Sequence, residues 1–447
     1  MSTPARITAL RVLESCRTHG AWADAALKAQ LSRDGLNGPD AALCSRIVYG
    51  VLQNQMLLDF YLAAYCSQKP DHLQPPLLNI LRMGAYQILY LDKIPDSAAV
   101  NESVELAKIM KRGQASGLVN AVLRKISKNK QELPALPDRD EVTALSIRYS
   151  HPKWLVRRLL ALLGREEAEA FLAADNATAP ITVQVNPLRT TAQALLERLE
   201  AEGVSARMHP WVPDCLELTG TGDLTALSAF REGDFLVQDP AARLVSSVAD
   251  VRPGENVLDV CAAPGGKSFS AAFAMKDRGR IVSCDLHENK LQRITEGARR
   301  LGITCIETQA ADGRVNQPEW RDAFDTVLVD APCSGLGIIR KKPDIRYKDP
   351  KPLENLPRVQ AAILDNVADY VRPGGVLLYA TCTLLGRENE GVVRAFLDKR
   401  RDFTLDGFQV PGPFLDTDTG MLTCWPHRHG TDGFFFARLR RKDDGNL

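Results

Sequence analysis
Two cysteines occupy positions where a thiol can do chemistry. Cys333 follows Asp330-Ala331-Pro332 and Cys382 follows Thr381, each just beyond a short β-rich run, DTVLVD and VLLYAT. A free cysteine is ordinarily a small buried apolar side chain. Two of ten cysteines at the loaded ends of adjacent strands, one of them behind Asp-x-Pro, point instead to reacting groups. A thiolate beside an adenosine cofactor suits methyl transfer to a pyrimidine ring carbon, because carbon-5 of cytosine is a poor nucleophile until a thiolate adds to carbon-6. The resulting enamine takes the methyl group, a base removes the carbon-5 proton, and the enzyme thiol is expelled. A thiol with a reference pKa of about 8.5 also needs a nearby cation or donor, and Lys267 is the candidate.

The cofactor side rests on CAAPGGKS, residues 261–268. Pro264, Gly265 and Gly266 stand where a strand turns into a helix, which permits a tight bend and close approach of a ligand to bare backbone amides. Asp285 ends the next strand, twenty residues past Gly265, the spacing at which an acid accepts hydrogen bonds from ribose hydroxyls. It is also a helix cap for the residues from His287 onward. Asp312, after the third strand, is a weaker candidate for the adenine side. Gly266-Lys267-Ser268 matches the end of a phosphate loop, which makes an RNA-stimulated NTPase a rival, but that motif needs glycine at 261, where this chain has cysteine. Cys424, His427 and His429 lie close together without a fourth ligand, a pattern that reads as a loop, and no metal is expected.

These residues need a sheet to hold them. ENVLDV, RIVSCD, TCIET, DTVLVD and VLLYAT alternate with helical stretches from residue 255 onward, which predicts a doubly wound, mostly parallel sheet with its ligands at the carboxyl ends of the strands. The first 130 or so residues read as a helical bundle: Ile7, Leu10 and Leu13 recur every three positions, and Leu43, Ile47 and Val51 every four. GLNGPD, KPD and IPD punctuate it. The proline-bearing ELPALPDRDE at 132–141 marks a boundary. YSHPKWLVRRLLALLG, ITVQVNP and TTAQALLERLEAEG then form helix, strand and helix, a small α/β module to about residue 240.

Fifty-six Lys and Arg against fifty-five Asp and Glu give a net charge of +1, so a nucleic-acid site must come from local clustering. Two clusters exist. Lys108 to Lys130 holds seven Lys/Arg and no acid, and GIIRKKPDIRYKDPK at 337–351 holds six Lys/Arg and two Asp, with Tyr347 available for stacking. The opening MSTPARITALRVLESC lacks a signal-like apolar core, no stretch reaches the length of a membrane span, and the cysteines lack C-x-x-C spacing. A cytoplasmic protein with reduced thiols and no membrane partner is the expectation.

D-V-C-A-A-P-G-G-K, D-A-P-C-S-G, A-T-C-T and D-G-F-F-F-A-R-L together resemble the conserved blocks of bacterial RNA 5-methylcytosine methyltransferases of the Fmu/Sun (RsmB) type. VNESVELAK and GLVNAVLRKI resemble the NusB-like RNA-binding domain of that branch. The resemblance implies an α/β chain in three parts: a NusB-like all-α bundle (1–135), a small connector (145–240) and a Rossmann-like methyltransferase domain (241–441). It implies S-adenosylmethionine as cofactor and a cytosine of 16S ribosomal RNA as substrate, free or in an assembling small subunit, with no obligate protein partner. By motif, Cys382 is the nucleophile and Cys333 assists release. Cys261, Ala262, Ala263, Pro264, Gly265, Gly266, Lys267, Asp285, Asp312 and Asp330 contact the cofactor, with Asp330 close enough to meet the cytosine. DNA cytosine methyltransferases use their Pro-Cys cysteine as nucleophile instead. Where the family often has Ser-Thr-Cys-Ser, this chain has Ala380-Thr381-Cys382-Thr383. A non-catalytic RNA-binding or antitermination factor is the alternative of another class; it leaves the glycine turn and the paired cysteines unexplained.

Overall fold
A computed structural model describes residues 3–137, 140–414 and 417–443 of the chain. Packing divides it into two units, Met1–Ala177 with Ile339–Lys348, and Thr178–Ile338 with Asp349–Leu447. Among the described residues no helix is long and apolar enough to cross a membrane.

In the first unit, helices Pro4–His19, Ala23–Asp34, Gly38–Tyr65, Pro75–Tyr90, Asp96–Ile109 and Ser116–Lys128 enclose a core that includes Leu10, Ile47, Val51, Leu58 and Leu123. The punctuators start helices: Gly38-Pro39 opens the third, and Pro95 caps the fifth. Where residue patterning predicts a new module from 145, helices Glu141–Tyr149, Lys153–Leu163 and Arg165–Asn176 pack with the bundle, and Leu57 N–H donates to Ser150 Oγ at 3.2 Å. Residues 138 and 139 of the expected boundary lie outside the described residues.

The segment Ile339–Lys348 corrects one expectation. Arg346 is 1% exposed, and its Nη1 donates to the carbonyls of Gln53, Tyr149 and Ser150 and to Asn176 Oδ1. Tyr347 OH donates to Leu52 O at 2.8 Å, and Lys348 Nζ to Gly20 O at 2.7 Å. Arg346 and Tyr347 satisfy carbonyls withdrawn from water instead of facing a nucleic acid, because such oxygens need donors, while Lys348 ties to an exposed carbonyl.

The second unit contains two sheets. Strands β1 (Ile181–Val185), β2 (Ser205–Met208), β3 (Cys215–Thr219) and β4 (Phe235–Val237) form an antiparallel sheet in the order β2-β3-β1-β4. Val183, Leu195, Leu199, Leu216 and Phe235 fill its core against helix Ala192–Ala201. Only the first of these strands is legible as ITVQVNP.

The larger sheet comprises β5 (Asn256–Asp259), β6 (Arg280–Asp285), β7 (Ile306–Ala310), β8 (Phe324–Asp330), β9 (Val371–Thr381), β10 (Phe403–Leu405), β11 (Met421–Cys424) and β12 (Phe434–Arg441). Its order is β10-β12-β9-β8-β5-β6-β7, with β11 paired to β12. The five strands expected from the sequence run parallel, and β12 is antiparallel to β9. Strand order reverses between β5 and β8, which opens a crevice at their carboxyl ends. The glycine turn, Asp285, Asp330 and both candidate cysteines lie along that edge.

Candidate active site
The chain leaves β5 through residues 260–265 and enters helix Gly266–Ala274. Gly265 has φ +109°, and a Cβ there would sit 2.5 Å from the Phe269 ring, so the turn requires glycine for conformation and for space. Ala262 N–H donates to Cys284 O and Gly265 N–H to Ala262 O, with Ala263 half-buried and Pro264 exposed at the tip. Burial pushes the Cys261 thiol up, so it keeps its proton.

Lys267, in the first turn of that helix, is 8% exposed, and its Nζ lies 2.5 Å from Asp330 Oδ2 at the end of β8. Burial works against the ammonium charge, but Asp330, Asp259 and Cys382 together outweigh it and hold Lys267 above its ordinary value. Ser268 Oγ donates to Asp259 Oδ2 at 2.7 Å, and Ser283 Oγ to Ser268 Oγ at 2.8 Å. Burial pushes Asp259 up to about 7, and its Oδ1 has no hydrogen-bond partner among the described residues.

Beyond the ends of β8 and β9 the two cysteines meet. Cys333 Sγ lies 3.3 Å from Cys382 Sγ and 3.3 Å from Cys382 N. The hydrogen bond with Cys382, then burial, pushes Cys333 well above the ordinary thiol range. A Cys333 that keeps its proton can donate to the neighbouring sulfur, so the two thiols are chemically unequal. The fold thus brings Cys333, Cys382, Lys267 and Asp330 to one place from three elements.

The residues at the crevice fit a cationic adenosine cofactor. Asp285 Oδ1 accepts the His287 N–H at 3.0 Å and lies 3.4 Å from Lys290 Nζ, while Oδ2 accepts no hydrogen bond among the described residues. An acceptor-only oxygen at a strand end is what ribose hydroxyls need. Asp312 is tied instead to Arg314, which donates through Nε and Nη2 and holds the carboxyl below its usual range. A polyphosphate fits poorly: Lys267 is committed to Asp330, Ser268 to Asp259, and two carboxylates, Asp285 and Asp330, would repel it. Leu286 and Val315, 55% and 54% exposed, adjoin Asp285 and Asp312 and offer apolar cover for a base. Residue patterning does not single them out; a large apolar residue beside each strand-end acid is the signal that could have.

Two further sequence features have definite places. Cys424 is buried in the core, and His429 Nδ1 accepts the Trp425 N–H at 2.8 Å, with burial lowering His429 to about 4. Among the described residues no group of three or more His, Cys, Asp or Glu could hold a metal ion. In the first unit, Lys108 pairs with Glu105 and Lys130 with Asp96, whereas Lys111, Arg112, Arg124, Lys125 and Lys128 have no acidic partner among the described residues. Lys111 and Arg112 line a cavity of about 360 Å³ with His72, Gln68 and Gln114.

Three stretches of the chain match known families. Residues 247–440 match the family described as 16S rRNA methyltransferase RsmB/F, residues 3–128 the NusB family, and residues 151–225 the ferredoxin-like domain of RsmF/B-like methyltransferases. The chain is 36% identical to the probable ribosomal RNA small subunit methyltransferase B of Bacillus subtilis (strain 168), over 98% of this chain and 99% of that one. It is 34% identical to ribosomal RNA small subunit methyltransferase B of Cronobacter sakazakii (strain ATCC BAA-894), over 90% and 91%. The crystal structure of PH0851 superposes with a TM-score of 0.82 at 28% identity, covering 99% of this chain and all of that one, 100%.

Proposed function
Because the chain belongs to the ribosomal RNA small subunit methyltransferase B family, whose methyl donor is S-adenosylmethionine, we propose that it methylates carbon-5 of a cytosine in 16S ribosomal RNA through a covalent adduct on Cys382. The observation that carries this reading is the 3.3 Å approach of the Cys333 and Cys382 sulfurs beside the Lys267–Asp330 ion pair. One sulfur must bond to carbon-6 while another group handles protons, and two inequivalent thiols in contact meet both needs.

When bound, S-adenosylmethionine supplies an electrophilic methyl group. Asp285 would accept the ribose hydroxyls, Leu286, Val315 and Asp312 would hold the adenine, and the backbone amides of the 261–267 turn would hold the rest of the cofactor. The Cys382 thiolate would add to carbon-6 and push the ring electrons to carbon-5, which would take the methyl group as its bond to the sulfonium sulfur breaks and S-adenosylhomocysteine leaves. Lys267 keeps positive charge near the sulfur before attack. Asp330, its side chain 33% exposed, meets the polar edge of the cytosine. After transfer, the carbon-5 proton leaves to a base, the double bond re-forms, and Cys382 departs as thiolate, with Cys333 assisting by proton exchange. The unpaired cations of Lys108 to Lys130 dock the phosphate backbone. The substrate is cytoplasmic 16S RNA, bare or within an assembling small subunit.

Incubation with methyl-labelled S-adenosylmethionine and either bare 16S RNA or small-subunit particles, followed by mass mapping, tests the reading. Label on carbon-5 of a single cytosine is expected. Label on a ribose oxygen or an exocyclic nitrogen would overturn it.

A further inference from the structure
We propose that Glu388 and Asn389 are a positioning pair that holds the two sulfurs together, an inference that rests on reading Cys333 and Cys382 as the reacting thiols. The parallel ladder between β8 and β9 ends at Asp330 opposite Ala380, and Ala331 N–H makes one more bond to Ala380 O. Beyond that point the β8–β9 ladder fixes neither cysteine, and strand pairing reaches only as far as Thr381, opposite Phe435 of β12. Two extended loops left to themselves would sample many separations, so other groups must set the contact.

Those groups come from two consecutive residues at the start of helix Glu390–Lys399, and each serves one loop. Glu388 Oε2 accepts the Ser334 N–H at 2.9 Å and the Gln360 Nε2 at 3.1 Å, while the same Gln360 amide donates to Pro332 O at 3.0 Å. Both chain neighbours of Cys333 are thereby held. Asn389 Oδ1 accepts the Thr381 Oγ1 proton at 2.6 Å, and its Nδ2 donates to Thr383 O at 3.0 Å. Both chain neighbours of Cys382 are thereby held. Ser334 Oγ and Thr383 Oγ1, 2.6 Å apart, tie one loop to the other, and Tyr379 OH anchors the pair by donating to Glu388 O at 2.6 Å.

The pair acts on the sulfurs only through their neighbours. Glu388 and Asn389 are 0% and 1% exposed, and their partners above are backbone groups, hydroxyls and the Gln360 amide, not thiols. The arrangement also carries a cost that a site built for stability alone would avoid. Glu388 makes no ion pair among the described residues, and its Oε1 and Gln360 Oε1 are buried without partners. Two donors converge on one oxygen, which demands an acceptor at that point. Gly337 completes the frame: its N–H donates to Cys382 O at 2.9 Å, a Cβ there would lie 1.9 Å from Gly433 O, and a Cβ on Gly433 would lie 2.8 Å from Gly337 Cα, so both glycines are needed for this close approach.

Thiol pairing tests the clamp without depending on catalysis. Diamide takes the two thiol hydrogens of Cys333 and Cys382, becomes the corresponding hydrazine and leaves a disulfide, which peptide mass mapping of the unreduced full-length protein quantifies. The wild type should form the Cys333–Cys382 disulfide readily. Glu388→Ala and Asn389→Ala should form it at least tenfold more slowly and lose at least tenfold in kcat, while their S-adenosylmethionine affinity and KM stay within twofold. Glu388→Gln, which keeps an acceptor, should recover most of both rates. Asn389→Asp, which keeps the acceptor for Thr381 but removes the donor to Thr383, should fall between and serves if an alanine variant fails to fold. Wild-type pairing rates in Asn389→Asp and in a folded alanine variant would overturn the clamp. A wild-type methylation rate in Cys382→Ala would instead overturn the catalytic reading and leave the pairing result standing.

Discussion

Lys267 and Asp330 form an ion pair of 2.5 Å that joins the helix after the glycine turn to the end of β8. The lysine is buried, so its charge persists because carboxylates surround it, and the same pairing leaves one side of Asp330 open. On the proposed mechanism this fixes a cation near the attacking sulfur and leaves a carboxylate available to the cytosine. Neither role is available to a phosphate-loop lysine, which must stay free for its nucleotide.

Asp259, behind this pair, should make stability fall as pH rises. Its folded pKa is raised from 3.8 to about 7, so the neutral form is favoured in the folded state. The stabilisation is full below about pH 4 and is lost as pH passes through about 7, a change on the order of a few kcal/mol. Chemical denaturation of the cofactor-free protein should show wild type losing stability relative to Asp259→Asn between pH 4 and pH 8. A pH-independent difference between the two would contradict the protonated, buried assignment.

Asp285 leaves one oxygen unbonded at the end of β6, and that oxygen is assigned to the ribose. Asp285→Ala should weaken S-adenosylmethionine binding by about 1 to 3 kcal/mol through removal of charge-assisted hydrogen bonds. Calorimetric titration reads this directly, and undiminished affinity would remove Asp285 from the cofactor site.

The unpaired cations of the bundle should dock RNA. Reversing Lys111, Arg112, Arg124 and Lys125 to glutamate should weaken RNA binding and flatten its salt dependence by about 0.7 to 0.9 of a log unit for each phosphate that the protein no longer neutralises. Cofactor affinity should not change. An unaltered salt slope would make Lys108 to Lys130 a solvated helix face.

What is legible in the sequence follows physical lines. Four of the five parallel strands stand out because buried parallel strands are near-continuous apolar runs, and the chemistry sits where such runs stop, whereas Ile306–Ala310 is mostly exposed. FFFARLRR of β12 is as apolar, yet it reads only as a family block, since antiparallel return strands carry no crossover helix to mark them. Ser205–Met208 is mostly exposed and has no pattern to see. Charge misleads at Arg346 and Tyr347, because nothing local tells a solvated arginine from one whose partners are carbonyls some 170 to 290 residues away. Glu388 and Asn389 are invisible for the same reason: their partners, Ser334 and Gln360 among them, meet them only through the fold.

The covalent step leaves a physical trace, protein–RNA complexes that survive denaturing gels. Cys333→Ala should accumulate RNA bonded to Cys382 with ordinary cytosine, because attack and methyl transfer proceed while release fails. Cys382→Ala should yield no complex even with 5-fluorocytosine, whose fluorine cannot leave as a proton. The reverse pattern, with adduct trapped in Cys382→Ala and absent from Cys333→Ala, would contradict the account and give the nucleophile's role to Cys333.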